Sequence, residues 1–443
     1  MLTVLANRSY RHLFAAQVIA LTGTGLMTVA LALLAFKLAG EKAGAVLGTA
    51  LAIKMIAHVG IAPIAGGFAA RLPRRALLVT LDLVRASVAV ALPFVDQVWQ
   101  IYVLIALLQS ASAAFTPTFQ ATIPDILTDE EDYTRALSLS RLAYDLENLV
   151  SPMLAAALVG IVGFHWLFGG TVIGFLASAA LVLSVVLPQA ARRERAESAV
   201  QRTTRGVRIY LATPRLRGLL ALNLAVAATG AMVIVNTVVV VRGMLGLSDT
   251  DTAIAFAAFG AGSMAAALAL PRLLASVGDR IVMVRAALAM PVLLLAFAAM
   301  VETSKASELW AAVLVAWALM GFSYSAVQVP TGRVLRRSAH DDDRPAIFAA
   351  QFALSHACWL ITYPLAGWLG GSTSMSITLV VLALVAAFGA LAGALVWPQG
   401  DPQVVPHEHP DLPADHPHLA GPHRHVHTYV IDDLHAHWPV MSR

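Results

Sequence analysis

Histidines are concentrated near the C-terminal end of this 443-residue chain, where nine of its 14 histidines fall within the last 37 residues. They occur as His-x-His steps, and in an extended chain such steps place two residues on the same side. Neutral imidazole is a good ligand for nickel, cobalt, zinc and copper. The pattern predicts a metal-binding segment whose candidate ligands are His407, His409, His416, His418, His423, His425, His427, His435 and His437.

Polar side chains inside the apolar stretches are a second group of candidates, because ionisable groups are costly in a membrane and usually have a role there. His58 follows Lys54 by one helical turn, and a structural hydrogen bond is an equal alternative for it. Glu147 lies on the opposite side of its helix from Arg141 and Asp145, which are spaced to pair with each other. The candidate transport residues are His58, Asp145, Glu147, Asn148, Asn223, Asn236, Gln351 and His356.

Cys358 is the single cysteine, so the chain has no disulfide framework. It lies about 200° around a regular helix from His356, and the two side chains cannot hold one ion without local unwinding. We therefore favour His356 as a ligand and regard Cys358 as a small buried residue.

The composition points to a membrane protein built from helices. The chain is 58% hydrophobic and 13% charged, with a mean hydropathy of +0.74, whereas a soluble domain carries roughly twice that charged fraction. The net charge of +4 resides in arginine clusters between apolar stretches, so it indicates topology rather than nucleic-acid binding. No Gly-x-x-x-x-Gly-Lys-Ser/Thr motif is present, which excludes this class of nucleotide-driven pump.

Twelve apolar segments have the length of a membrane span. Alternate breaks between them are rich in arginine, whereas the intervening breaks carry only Lys42, Arg242 and Lys305. This asymmetry places both termini, and with them the histidine-rich tail, in the cytoplasm. The predicted segments lie near 12–36, 43–69, 76–95, 98–118, 142–163, 165–187, 217–241, 251–271, 281–301, 308–330, 346–369 and 375–397.

The two halves of the chain are related in sequence. A shift of 212 residues aligns the acidic stretch 129–132 with 341–344, and Pro152 with Pro364. The predicted fold is therefore an all-α membrane protein with twelve transmembrane helices in two pseudo-symmetric six-helix halves, an architecture typical of transporters. The predicted units are an N-terminal bundle at 1–187, an Arg-rich cytoplasmic linker at 188–216, a C-terminal bundle at 217–397 and a disordered tail at 398–443.

The break after the second span resembles the signature loop of the major facilitator superfamily, Gly-x-x-x-Asp-Arg-x-Gly-Arg-Arg. Arg71, Arg74 and Arg75 match this signature, Gly67 lies one position from its first glycine, and Ala70 stands where the family has aspartate. The stretch from Ser151 is similar to the Gly-Pro-x-x-Gly-Gly signature of the antiporter branch. The resemblance implies the major facilitator fold and a loop that gates the cytoplasmic side through charge contacts.

The second half keeps an Asp-Arg pair in the corresponding loop, and an acidic and a basic residue of the third span could replace the missing carboxylate in the gate. The candidate gating residues are thus Gly67, Arg71, Arg74, Arg75, Asp82, Arg85, Asp279 and Arg280.

A narrower resemblance lies in the second half. Asp342-Asp343-Arg344-Pro345, followed by a segment that ends at Trp359, is similar to the bacterial nickel-resistance exporters of this superfamily, which also end in histidine-rich tails. It implies efflux of nickel or cobalt from the cytoplasm by proton antiport, in a multi-pass protein of the bacterial inner membrane. We expect no enzymatic activity, no cofactor apart from the transported metal and coupling protons, no nucleic-acid partner, and a monomer in the lipid bilayer.

Three alternatives stay open at this stage. A drug, macrolide or siderophore exporter would share the fold, with an incidental or regulatory tail. A metal importer would share the topology, because topology does not fix the direction of transport. A metal sensor that transports nothing would use the tail to signal, although a six-plus-six repeat is not needed for sensing.

Overall fold

Long apolar helices make up most of the computed structural model of this chain. It describes residues 2–69, 73–127, 129, 132, 136, 139–140, 143, 154–155, 157–185, 187, 199–340, 343–401, 404–408, 424–432, 434–435 and 437–439.

Five long helices are described in the first half: α1 (Arg8–Ala39), α2 (Ala43–Ala69), α3 (Arg74–Ala91), α4 (Val98–Ile126) and α5 (His165–Leu183). Gly40, at the end of α1, has φ of +54°, a conformation that glycine adopts readily. This turn lets α2 run back beside α1.

The second half begins with a shorter helix, α6 (Ala199–Ala212). Six long helices follow it, and a strand pair lies in the tail. They are α7 (Pro214–Val238), α8 (Asp249–Ser276), α9 (Asp279–Thr303), α10 (Ala306–Arg336), α11 (Arg344–Ser372), α12 (Met375–Val396), β1 (Val404–Glu408) and β2 (Arg424–Thr428).

Ten stretches of the described residues are long and apolar enough to cross a membrane, and the first of them, Arg8–Ile61, contains α1 and most of α2. The all-helical membrane fold expected from the sequence is therefore confirmed. The predicted span at 142–163 lies mostly outside the described residues, so the count of twelve stays a prediction.

Helix packing repeats between the halves. Helix α1 packs on α5 as α7 packs on α12, α2 packs on α4 as α8 packs on α10, and α3 packs on α5 as α9 packs on α12. The same set of neighbours in each half is what a duplicated six-helix unit produces. The main described contact between the halves is that of α2 with α11.

Glycines allow α2 and α11 to touch through their backbones. A Cβ added at Gly48 would lie 2.6 Å from the carbonyl oxygen of Tyr363, and one added at Gly367 would overlap the backbone of Gly44. The indole N–H of Trp368 donates to Thr49 Oγ1 at 3.1 Å. This close approach sets which residues of α2 lie opposite which residues of α11.

Helix α6 packs on the second half, so this part of the predicted linker is not merely a surface segment. Arg205 of α6 pairs with Asp343 at 2.8 Å, and the hydroxyl of Tyr210 donates to Gln351 Oε1. Gly206 packs directly on the backbone of Ala346, where a Cβ would overlap the carbonyl group.

Two strands lie in the described part of the tail, for which the sequence predicts disorder. Strands β1 and β2 form an antiparallel pair in which His407 lies opposite His425. Beyond the hairpin, Tyr429, Val430 and Ile431 are at most 5% exposed. Burial of these apolar side chains stabilises the folded tail. The amino-acid composition of the tail, which is dominated by proline, histidine and aspartate, does not reveal this contribution.

We predict that Gly48→Ala destabilises the protein by about 1–3 kcal/mol, the usual cost of overpacking a close contact. Gly60→Ala is the matched control, because it lies on the same helix and an added Cβ meets nothing within 4 Å. Thermal unfolding of the two purified variants in the same detergent measures the difference. Equal melting temperatures would show that α2 and α11 do not depend on this contact.

Candidate transport site between the two halves

Two of the sequence-predicted transport residues meet across the interface of α2 and α11. The imidazole rings of His58 and His356 are stacked, with centroids 5.7 Å apart and an interplanar angle of 13°. They belong to different halves of the chain and lie about 300 positions apart in it, so sequence spacing gave no indication that they are neighbours. The antiparallel register that begins at Gly48 and Tyr363 brings them together.

Each ring is oriented by its own helix. His58 Nδ1 lies 2.9 Å from the carbonyl oxygen of Lys54, and His356 Nδ1 lies 2.6 Å from that of Phe352. A carbonyl oxygen only accepts hydrogen bonds, so Nδ1 carries the hydrogen and in the neutral ring Nε2 carries the lone pair. Both rings therefore have the tautomer that suits metal coordination, or acceptance of a proton, through Nε2.

Aromatic rings line α11 beside the histidine pair. The Phe352 ring lies 3.9 Å from that of His356 and 6.2 Å from that of His58. One turn further along, the Trp359 ring lies 4.8 Å from that of Tyr363, at a tilt of 35°, and 6.4 Å from that of Tyr324. Sequence analysis missed Phe352 and Trp359, although their spacing from His356, four residues before and three after, places all three on neighbouring positions of one helix.

Asn236, a predicted pathway residue, packs between helices in the structure, and its place in the pathway stays a prediction. It is fully buried and donates to the carbonyl oxygen of Ala366 at 3.1 Å. Its side-chain oxygen occupies the space above Gly44 and Gly370, at 2.8 and 2.6 Å from where their Cβ atoms would be. It thus fastens α7 to α2 and α11 at the closely packed end.

Two further predicted pathway residues are also engaged in packing. Asn223 is 2% exposed and donates to the carbonyl oxygen of Leu219 at 2.9 Å on its own helix. Gln351 accepts the hydrogen bond from Tyr210 and is 7% exposed. Asp145, Glu147 and Asn148 lie outside the described residues, and their assignment to the pathway stays a prediction.

Asp82 and Arg85, predicted as substitutes in the gate, form a buried ion pair within the first half. Ser178 donates to the second oxygen of Asp82 at 2.7 Å. The guanidinium of Arg85 lies between the rings of Phe115 and Phe175, 4.1 and 4.6 Å from their centroids. These contacts come from α3, α4 and α5, so the ion pair helps to join the three helices.

The loop residues occupy equivalent places in the two halves. Arg75 donates to the carbonyl oxygen of Leu183 at the end of α5, and Arg280 donates to those of Ala394 and Trp397 at the end of α12, at 2.7 and 2.9 Å. A cation at a helix C-terminus satisfies carbonyl groups and interacts favourably with the helix dipole.

Asp279 pairs with Arg333 of α10 at 3.4 Å, a contact within the second half. Gly67 lies in the last turn of α2, and Arg74 in the first turn of α3. Arg71 lies outside the described residues. The described contacts of these loops hold each half together, and gating across the halves stays a prediction.

The tail histidines are distributed over very different environments. His407, His425 and His427 lie on the hairpin strands, and His437 is exposed. His435 is 3% exposed and its Nδ1 lies 2.8 Å from Asp432, so burial argues against its predicted role as an open ligand. His409, His416, His418 and His423 lie outside the described residues, and within the described part no three His, Cys, Asp or Glu side chains are grouped to hold a metal.

The comparisons with known proteins agree on one family. The model of the Major Facilitator Superfamily matches residues 13–301 and again residues 220–428. An uncharacterised MFS-type transporter, YfiS of Bacillus subtilis (strain 168), is 24% identical over 143 residues. This alignment covers 32% of the chain and about a third (34%) of the length of that curated relative.

Solved structures show the same fold across most of the chain. The nucleoside transporter NupG has a TM-score of 0.64 at 12% identity, with 88% of this chain and 98% of its own covered. A bacterial homologue of the human lysosomal transporter Spinster, in an inward-facing and unoccupied conformation, has a TM-score of 0.61 at 13% identity, with 87% and 97% covered. A D-xylose–proton symporter has a TM-score of 0.59 at 15% identity, with 89% and 96% covered.

We predict that Asp82→Ala severely reduces the yield of folded protein, because it leaves the Arg85 guanidinium buried without its charge partner, at a cost of roughly 3–5 kcal/mol. Removing both charges in Asp82→Ala/Arg85→Met should restore much of the loss, since Met can pack between the two phenylalanine rings. Fluorescence-detected size-exclusion chromatography after a heating step measures both variants. If Asp82→Ala is as stable as the parent, the pair is not structural.

Proposed function

Because this chain belongs to the Major Facilitator Superfamily, we propose that it is a secondary transporter that exports nickel or cobalt ions from the cytoplasm by proton antiport. The observation that carries the proposal is the pair of imidazoles, His58 and His356, which face each other from opposite halves of the molecule. Borderline divalent metals favour nitrogen ligands of this kind. The proposed setting is the bacterial inner membrane, with the protein acting as a monomer.

Alternating access requires a site that both halves contribute to. In this superfamily the halves rock about a midplane site, and a ligand pair split between them is complete in one arrangement and separated in another. His58 follows Gly48 by ten residues, or about 15 Å of helix. Separation of α2 from α11 at the glycine contact would therefore also separate the two rings and release the ion.

Protons can compete with the metal for the same atoms. A metal ion binds the Nε2 lone pairs of neutral rings, and a proton occupies the same lone pair in the charged ring. Metal leaves as protons bind on one side of the membrane, and protons leave as metal binds on the other. Glu147 is retained as a proposed carboxylate partner in this exchange on the strength of its sequence position.

The tail is proposed to gather metal ions near the cytoplasmic end of the transporter. His407 opposite His425 in the hairpin, with His427 two residues further along, provides a local concentration of histidine. Flexible or weakly organised sites of this kind exchange ions readily and do not select between nickel and copper. Selectivity is therefore assigned to the membrane site.

A second candidate cargo is an organic molecule, as in a drug, macrolide or siderophore exporter. Lys54 lies one turn from His58, and its ammonium would repel a bare divalent cation. The row of Phe352, Trp359 and Tyr324 could bind a flat ring by stacking. The structural neighbours named above as nucleoside and sugar transporters show that this fold accommodates such cargo, which makes the distinction an experimental one.

We predict that His58→Ala and His356→Ala each reduce the initial rate of nickel flux at least tenfold in proteoliposomes with an imposed proton gradient. The reason is that each substitution removes one of the two imidazole ligands proposed for the ion. Cys358→Ala is the control on α11 and should retain the parental rate, since Cys358 faces away from the pair. Radioactive nickel taken up by inside-out vesicles measures export directly.

The same assay separates the alternatives. Nickel flux only in the opposite direction would show that the protein is an importer. The absence of nickel flux under any gradient would favour the hypothesis that the protein is a metal sensor. Parental nickel flux in both histidine variants would remove the pair from the pathway. Competition by heteroaromatic organic compounds without any nickel flux would favour the second candidate.

Tail truncation should reduce export without abolishing it. A stop after Asp401 keeps the carboxylate that pairs with Arg215 and Arg337, whereas a stop after Trp397 removes it. We expect about two- to fivefold slower flux at low nickel concentration for the first truncation, since the loss of the metal-gathering histidines outweighs the loss of any restraint that the tail imposes. We expect a lower melting temperature for the second, because buried Arg215 loses the Asp401 carboxylate. Complete loss of flux after truncation at Asp401 would make the tail part of the transport site.

A further inference from the structure

The last described residues of the tail, 429–432, 434–435 and 437–438, form a small folded unit that we call the tail knot. Asp432 lies at its centre and accepts hydrogen bonds from the backbone N–H groups of Leu434 and His435, at 2.8 and 2.7 Å. The Tyr429 ring meets those of His435 and Trp438 edge-on, at 4.6 and 5.2 Å. Its hydroxyl donates to the carbonyl oxygen of His437 at 2.7 Å. The knot is thus organised by its own side chains.

The tail knot is fastened to the cytoplasmic ends of α7 and α10. The Trp438 ring lies 5.2 Å from the guanidinium of Arg215, and Asp432 Oδ2 lies 3.3 Å from His340 Nε2. Upstream of the hairpin, Asp401 pairs with Arg215 at 3.3 Å and also with Arg337. Arg337 and His340 flank the short connection from α10 to α11, so the tail fixes the residues that lead into α11.

The charge state of Asp432 favours this attachment. Partial burial raises the pKa of its carboxyl group, but the backbone N–H of His435, the His435 ring and the N–H of Leu434 together outweigh burial and hold that pKa below its ordinary value. A carboxyl group with a lowered pKa stabilises the folded form above its ordinary pKa and loses that contribution only in acid. At neutral pH Asp432 is therefore charged and available to His340.

We propose that the docked tail knot is a brake on transport that restrains the start of α11, and that binding of a transition metal to His340 releases it. His340 is the accessible member of the attachment, with a side chain 61% exposed. A metal ion bound to Nε2 of His340 occupies the atom that contacts Asp432, so this contact of the tail is lost. The histidine-rich hairpin lies immediately before the knot in the chain and supplies metal at high local concentration.

The mechanical consequence follows from the position of α11. This helix begins at Arg344, beside Asp343, which is held by Arg205 of α6. A tail fixed to His340 adds a second restraint on the same end of the helix that carries His356. When the tail is released, only the Arg205–Asp343 pair still restrains this end of α11. Helix α11 then moves away from α2 more easily. The transporter would then respond to the metal level it is proposed to control; this last step rests on the proposed function.

Hydrogen–deuterium exchange on the full-length protein in nanodiscs tests the brake without any assumption about cargo. Asp432→Asn and His340→Ala should accelerate exchange at least fivefold in residues 429–435 and also in residues 344–352. Leu434→Ala is the matched control, because its side chain is exposed and can be removed while its backbone N–H still donates to Asp432, and it should match the parent. Nickel chloride added to the parent should reproduce the effect of His340→Ala and have no further effect on that variant.

Each result decides one part of the proposal. Unchanged exchange in 344–352 when 429–435 is released would show that the tail does not restrain α11. Unchanged exchange in both regions at saturating nickel would show that metal does not release the tail. Flux in the same variants separates the two hypotheses: faster exchange with no nickel flux in any variant would contradict the proposed cargo but leave the brake intact, whereas nickel flux that Asp432→Asn does not increase would overturn the brake alone.

Discussion

The backbone contact between α2 and α11 is the constraint on which the rest of the site depends. Two helices approach this closely only where neither carries a Cβ at the point of contact, and Gly44, Gly48 and Gly367 meet that condition. The contact sets the antiparallel register of the pair. The same register then places His58 beside His356 further along the helices. A side chain at the glycines would displace both histidines without touching either.

Buried polar groups in the two halves are of two kinds. Asp82 pairs with Arg85, and Asn236 donates to the Ala366 carbonyl oxygen, and these contacts help to join helices, since buried polar groups stabilise a fold when they are hydrogen-bonded. The histidine pair differs, because its Nδ1 atoms lie against the backbone carbonyls of their own helices and its two rings meet across the halves. This difference is why we assign transport to the histidines and structure to the others.

Much of the fold could be predicted from the sequence, because apolar length and arginine distribution are local properties. The segment predicted at 43–69 is helix α2, Ala43–Ala69, and that at 375–397 is α12, Met375–Val396. The roles of Asn236 and Gln351 could not be predicted, since each depends on a partner more than a hundred residues away. The burial of Tyr429 and Ile431 in the described part of the tail could not be predicted for a related reason, because the local composition is that of a disordered chain.

The central claim is that one metal ion binds between His58 and His356. Equilibrium dialysis of the full-length protein against nickel, with the metal content counted per chain, tests it most directly when the parent is compared with the His58→Ala/His356→Ala double variant. The tail histidines are present in both proteins and cancel in the difference. The structure predicts that the parent binds one more nickel ion per chain than the double variant, and that the difference vanishes in acid as the two rings take up protons. Equal numbers of bound ions at neutral pH would contradict a metal site between the two halves.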